Sequence, residues 1–145
     1  MDNKKKYLLL FVTVIAMVAV TLGYFLYNKP AMDVENTMGQ KVEATALYEK
    51  FTEDSTVAKK KYSNQILEVS GMVTLVSKNL QLQPVVMLKT NTEGAAVNCT
   101  LEGPAGDIKA GHTVGIRGIC NGMGEGDAEL GIMGDVYLVR CYLIK

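Results

Sequence analysis

The sequence predicts a mainly β protein: an N-terminal transmembrane helix, a short helical lead-in, then a five-stranded β-barrel. Three observations predict it. Residues 7–27 are apolar almost without a break, residues 44–62 repeat apolar side chains at helical spacing, and from Asn64 the apolar period shortens to two. A chain of 145 residues with 48% apolar content suits one ordinary domain and excludes a disordered segment. Three cysteines are too few for a disulfide-built miniprotein. A single histidine leaves little for histidine catalysis or a histidine-rich metal site.

The first element runs from Tyr7 to Tyr27, where only Thr13, Thr21 and Gly23 fall outside the apolar set. At 1.5 Å per residue such a helix spans roughly 30 Å, the thickness of bilayer hydrocarbon. Tyr7, Tyr24 and Tyr27 stand at its ends, where amphipathic rings favour the interface. Lys4, Lys5 and Lys6 precede it and only Lys29 follows closely, so the positive-inside rule keeps residues 1–6 in the cytoplasm and sends the rest outside. A cleaved signal peptide is the competing reading, but the exit Gly23-Tyr-Phe-Leu-Tyr27 is bulky and lacks a small-x-small cleavage pattern. The charge divides at the same place. The overall balance of fifteen against fifteen is +3 up to Lys29 and −3 beyond it.

Residues 28–42 are polar, contain Pro30 and Gly39, and read as a linker to a domain at 43–145. Ala44, Leu47, Tyr48 and Phe51 then form one helical stripe, and Asp54 is placed to cap a second short helix carrying Ala58 and Tyr62. Lys59, Lys60 and Lys61 suit the end of that helix, where cations favour the dipole. In the first strand Leu67, Val69, Val73 and Leu75 alternate with polar residues, and Gly71 suggests a bulge or sharp bend. Further strands are read at Val85–Thr90, Ala95–Leu101, Thr113–Cys120 and Val136–Ile144. Five strands that begin with a long, glycine-bent one point to a small closed barrel of OB type.

Several runs resemble the tRNA_anti-like family. They are Ala46-Leu-Tyr-Glu-Lys-Phe51, Ala58-Lys-Lys-Lys-Tyr62, Leu67-Glu-Val-Ser-Gly71-Met-Val73, Val97-Asn-Cys99-Thr-Leu101, Val114-Gly-Ile-Arg-Gly118-Ile-Cys120-Asn-Gly122 and Asp135-Val-Tyr-Leu-Val-Arg-Cys141-Tyr-Leu-Ile144. The resemblance covers roughly residues 43–145, and Met123–Gly134 departs from it as a longer, glycine-rich link. It implies an OB barrel, often on a small membrane-anchored bacterial protein, and hence a place on the inner membrane with the C-terminal domain extracytoplasmic. By fold analogy the barrel face at Met72, Thr74, Met87, Lys89 and Asn98 is the expected ligand-binding surface, with plain solvent-exposed strand residues as the bland alternative.

Cys99, Cys120 and Cys141 share parity with apolar neighbours, so each is expected to point inward. The expected order of the last three strands puts Cys141 between the other two. Buried small hydrophobes and one disulfide from Cys141 to either neighbour both fit, and a zinc or redox site fits less well. His112 stands about 26 Å from Cys120 along an extended strand, too far to share a metal. Gly122-Met-Gly124-Glu-Gly126 lacks the following helix of a phosphate loop, and its nearby acids repel phosphate. No catalytic constellation, metal site or cofactor motif emerges. Nucleic-acid binding is the alternative function, but the external part is acidic, and the outward positions Val85, Met87, Lys89, Ala96, Asn98 and Thr100 carry no ring for stacking. The expected role is a non-catalytic binding module for a protein, glycan or small envelope molecule.

Overall fold

A computed structural model describes residues 2–144. They fall into two compact units, divided between Met32 and Asp33. The first holds α1 (Asn3–Tyr27), which begins early enough to include Lys4–Lys6. None of its residues is buried, and it is long and apolar enough to cross a membrane.

The second unit contains β1 (Gln40–Glu43), α2 (Ala44–Glu53), α3 (Ser55–Tyr62), β2 (Ile66–Lys78), β3 (Pro84–Lys89), β4 (Ala96–Leu101), β5 (Thr113–Met123) and β6 (Val136–Leu143). Strands β2 to β6 form a closed barrel in the order β2-β3-β4-β6-β5, with β5 returning to β2. Only the β4–β6 contact within it is parallel. This is the five-stranded OB-type barrel expected from the sequence, with Cys141's strand between those of Cys99 and Cys120.

Two bulges set which side chains face in. Val73 lies opposite Leu88 and Leu75 opposite Met87, so Thr74 is an extra residue. Its hydroxyl donates to the Met87 carbonyl at 3.2 Å. Beyond it the alternation inverts: Val76 packs against the core, while Leu75 is 49% exposed instead of inward as the unbroken period suggests. In β6, Cys99 faces Leu138 and Leu101 faces Cys141, which leaves Arg140 in a bulge at φ 52. Cys141 therefore shares the inward face with Val136, Leu138 and Leu143, and not with Val139. Gly71 is not the bulge. It stays in register with Val114, and a Cβ there would lie 2.9 Å from the Ala44 Cβ and 3.3 Å from the Leu88 Cβ. Glycine is needed because the start of α2 seats on it.

The lead-in helices cap the barrel with Leu47, Tyr48, Phe51, Ala58 and Tyr62, all buried in one core cluster. The Phe51 and Tyr62 rings tilt together with centroids 6.1 Å apart. Asp54 caps α3 as its position suggested, accepting from the amides of Thr56 and Val57 at 3.1 and 3.0 Å.

Residues 28–42 read as linker, yet from Asp33 the chain is part of the barrel unit. Val34 is buried. Arg117 donates from Nη1 to the Glu35 carbonyl at 2.6 Å, and from Nε and Nη2 to the Glu68 carboxylate at 3.1 and 2.9 Å. The Gly39 amide reaches the same carboxylate oxygen at 3.3 Å. These contacts form a strap across β5 and the start of β2. It continues into β1, which pairs in parallel with Leu67–Ser70 of β2. Those β2 residues give their other edge to β5, so β1 fills the stretch of edge that β3 does not reach.

Two outcomes follow from this packing. Replacing Gly71 with Val should cost about 1–3 kcal/mol by overpacking against α2, while Gly103→Val, where nothing lies within 4 Å of the new Cβ, should leave urea unfolding nearly unchanged. The Gly39 amide, then the Arg117 guanidinium, hold the Glu68 carboxyl below its usual range. A lowered folded value gives stability that is complete above the unfolded value and fades as pH falls through the folded one. Acid unfolding below about pH 4 should therefore flatten in Glu68→Gln relative to the parent chain.

Candidate ligand-binding face

The outer face is built row by row from strand register. Leu75, Met87, Asn98 and Tyr137 stand side by side across β2, β3, β4 and β6. Leu75 and Tyr137 are exposed, and Met87 and Asn98 half-buried. The next row is Lys89 beside Ala96, whose amide donates to the Asp135 carboxylate at 2.9 Å. Above these rows lies a cleft of about 660 Å³, lined by Thr74, Leu75, Met87, Lys89, Asp135 and the β3–β4 turn. That volume is in the range of small-ligand sites.

The turn is a firm wall. The Thr90 hydroxyl, 5% exposed, lies 2.9 Å from the Ala95 carbonyl and accepts from the Thr92 amide at 3.2 Å. Asn91 donates to the Glu49 carboxylate at 2.6 Å and so ties the turn to α2. Tyr48 of α2 is buried behind it, and burial, aided by the Asp135 charge, pushes its phenol up.

Thr74, Met87 and Lys89, expected at the ligand surface, share this cleft, and Asn98 stands beside Met87. Met72 opens instead onto an adjoining cleft of about 410 Å³ with Ser70 and Thr113, and Lys89 borders both. Sequence reasoning missed Leu75, because the Thr74 bulge leaves no local mark, and Tyr137, because only the parallel β4–β6 register sets it beside Asn98. The expected ringless face thus carries one ring. Val85 and Ala96, expected outward and open, are buried at 7% and 9% exposure between flanking strands. Lys89 is the one cation among the lining residues, against the carboxylates of Glu93 and Asp135. Lys59–Lys61 occupy the last turn of α3, where Lys61 sits 5.1 Å from the Tyr62 ring centroid.

All three cysteines are free and buried, as their parity suggested. Cys99 and Cys120 flank Leu138 from its two sides. Gly118 leaves the space that the Cys141 sulfur fills. A hydrogen bond with the Cys99 thiol, together with burial, pushes the Cys141 thiol far up, and burial raises that of Cys120. Thiols held in this state are poor nucleophiles. The glycine-rich link after β5 is a hairpin connection: Asp127 pairs with Ile132, and its carboxylate accepts from the amides of Glu129 and Leu130 at 3.0 and 3.1 Å. Among the described residues no three His, Cys, Asp or Glu side chains group as a metal site. His112 is exposed at the base of β5, its Nδ1 accepting from the Lys109 amide.

A closed barrel entered by one long strand, with a cleft over its β2–β3–β4 face, defines an OB-fold binding domain. The tRNA_anti-like family model matches residues 1–130, and the chain belongs to that family. The match takes in α1, the strap and the chain through β5, and ends before β6, whereas the resemblance in the sequence ran from 43 to 145. A comparison with curated proteins finds no match.

Thiol chemistry gives a direct check on the core. In the folded chain, without reductant, a maleimide should modify none of Cys99, Cys120 and Cys141 over hours, and in denaturant it should modify all three. A pair that stays unmodified after unfolding would reveal a disulfide.

Proposed function

We propose that this chain is a single-pass, membrane-anchored binding module without catalytic activity. In this reading α1 crosses the bacterial inner membrane with the N-terminus in the cytoplasm, and the barrel binds a protein, glycan or small envelope molecule outside it. The charge step from +3 to −3 across the helix supports the orientation. The observation that carries the binding role is the cleft over Leu75, Met87 and Lys89: apolar floor, one cation, a hydrogen-bonded turn as wall. Membership in an OB-fold family supports it further. The three buried thiols offer no exposed nucleophile to an enzyme reading.

Nucleic-acid binding is the second reading, and Tyr137 is what favours it, since one exposed ring beside Asn98 suits base stacking. The net charge of −3 beyond Lys29 weighs against it.

Crosslinking in intact membranes followed by affinity capture tests the first reading. Met87→Glu and Lys89→Glu should lose the partners that the parent chain captures, and unchanged capture would remove this face from consideration. Retention of the chain on single-stranded oligonucleotides at low salt, lost as salt rises, would replace the first reading with the second.

A further inference from the structure

The loop joining β2 to β3, residues 79–83, carries two leucines that nothing in the barrel covers. Leu80 is 98% exposed and Leu82 is 74% exposed. The loop is nonetheless firmly built. The Asn79 side-chain oxygen accepts from the amides of Gln81 and Gln83, both at 3.0 Å, and its NH2 donates to the Gln83 side chain at 3.0 Å. Leu82 is held at φ 62, a left-handed conformation that costs a leucine energy. An ordered loop that keeps two aliphatic side chains in water marks a contact surface.

Charge separates this loop from the second apolar tip of the barrel. Leu130, Ile132 and Met133 are also exposed, but Glu125, Asp127 and Glu129 stand among them. The 79–83 loop contains no acid and follows directly on Lys78.

Position within the barrel unit adds a third observation. Lys78 pairs with Pro84 at the loop's base, and Leu101 and Cys141 continue that end of the sheet. Glu35 of the strap lines one cleft of about 370 Å³ with Leu101 and Cys141. Glu35 thus borders the ends of β4 and β6, and β4 pairs with β3 next to the loop's base.

We propose that Leu80 and Leu82 insert into a lipid surface, with Lys78 meeting anionic headgroups. The proposal rests on the reading of α1 as a membrane anchor. Aliphatic side chains gain by leaving water for hydrocarbon, and a flanking cation gains from anionic lipid. The acidic tip around Leu130 is repelled by the same surface.

The test uses the full chain reconstituted into vesicles of phosphatidylethanolamine and phosphatidylglycerol. An environment-sensitive fluorophore is placed through Leu80→Cys, Leu82→Cys or, for comparison, Leu130→Cys. The native thiols are buried and do not take the label. Flotation of the vesicles after an alkaline wash reports the anchor independently. All three chains should float. Labels at the two loop positions should shift to the blue and lose most of their emission to nitroxide-bearing lipids, while the label in the acidic tip responds only to aqueous iodide. Lys78→Glu should weaken the lipid quenching. A chain that floats with both loop labels open to iodide and untouched by lipid quenchers overturns the insertion and leaves the anchor standing. Labels shielded from both quenchers point to a protein partner and likewise overturn it. A chain that fails to float overturns the anchor, and the insertion with it.

Discussion

Closure of the barrel depends on a single strand. The thirteen residues of β2 are shared out along both edges: the first half goes to β5 and the second to β3. Closing five strands removes the open sheet edges on which pairing with other chains begins. Serving two neighbours in succession bends the strand, and the extra residue at Thr74 accommodates that bend. The same residue turns Leu75 outward. The floor of the cleft over β2 and β3 is thus a by-product of barrel closure.

The cleft wall has a related origin. Gly71 lets the start of α2 seat on β2, and α2 in turn holds the β3–β4 turn through Glu49 and Asn91. Helix, turn and cleft form one mechanical path that begins at a missing Cβ. Preorganisation of this kind lowers the ordering cost of binding, which suits a site with little charge to draw on.

Local rules carried the sequence reading a long way. The apolar helix, the Asp54 cap and the alternation in β2, β3 and β4 depend on neighbours a few residues apart, and all were legible. Failures came where a distant partner decides. The Thr74 and Arg140 bulges obey register with another strand, so Leu75 turned outward, and Val136 and Leu138 joined Cys141 on the inward face, without a local signal. The strap reads as linker because its residues are polar. Its fixing contacts, Gly39 to Glu68 and Glu35 to Arg117, span 29 and 82 positions. Within the candidate site, Thr74, Met87, Lys89 and Asn98 were reachable from parity alone. Tyr137 was not, because its place depends on a parallel pairing that no local period encodes.

The three buried thiols impose a race on biogenesis. With the barrel outside the membrane, as proposed above, a newly delivered chain exposes Cys99, Cys120 and Cys141 to oxidation, and their odd number means that any one intramolecular bridge strands a sulfur. Barrels dominated by distant pairings fold in about milliseconds to seconds, while thiol oxidation takes about seconds to hours. Burial must win that contest, since a bridge formed in the unfolded chain would lock strands out of register. Folding speed, more than final stability, then decides whether these sulfurs reach the core intact.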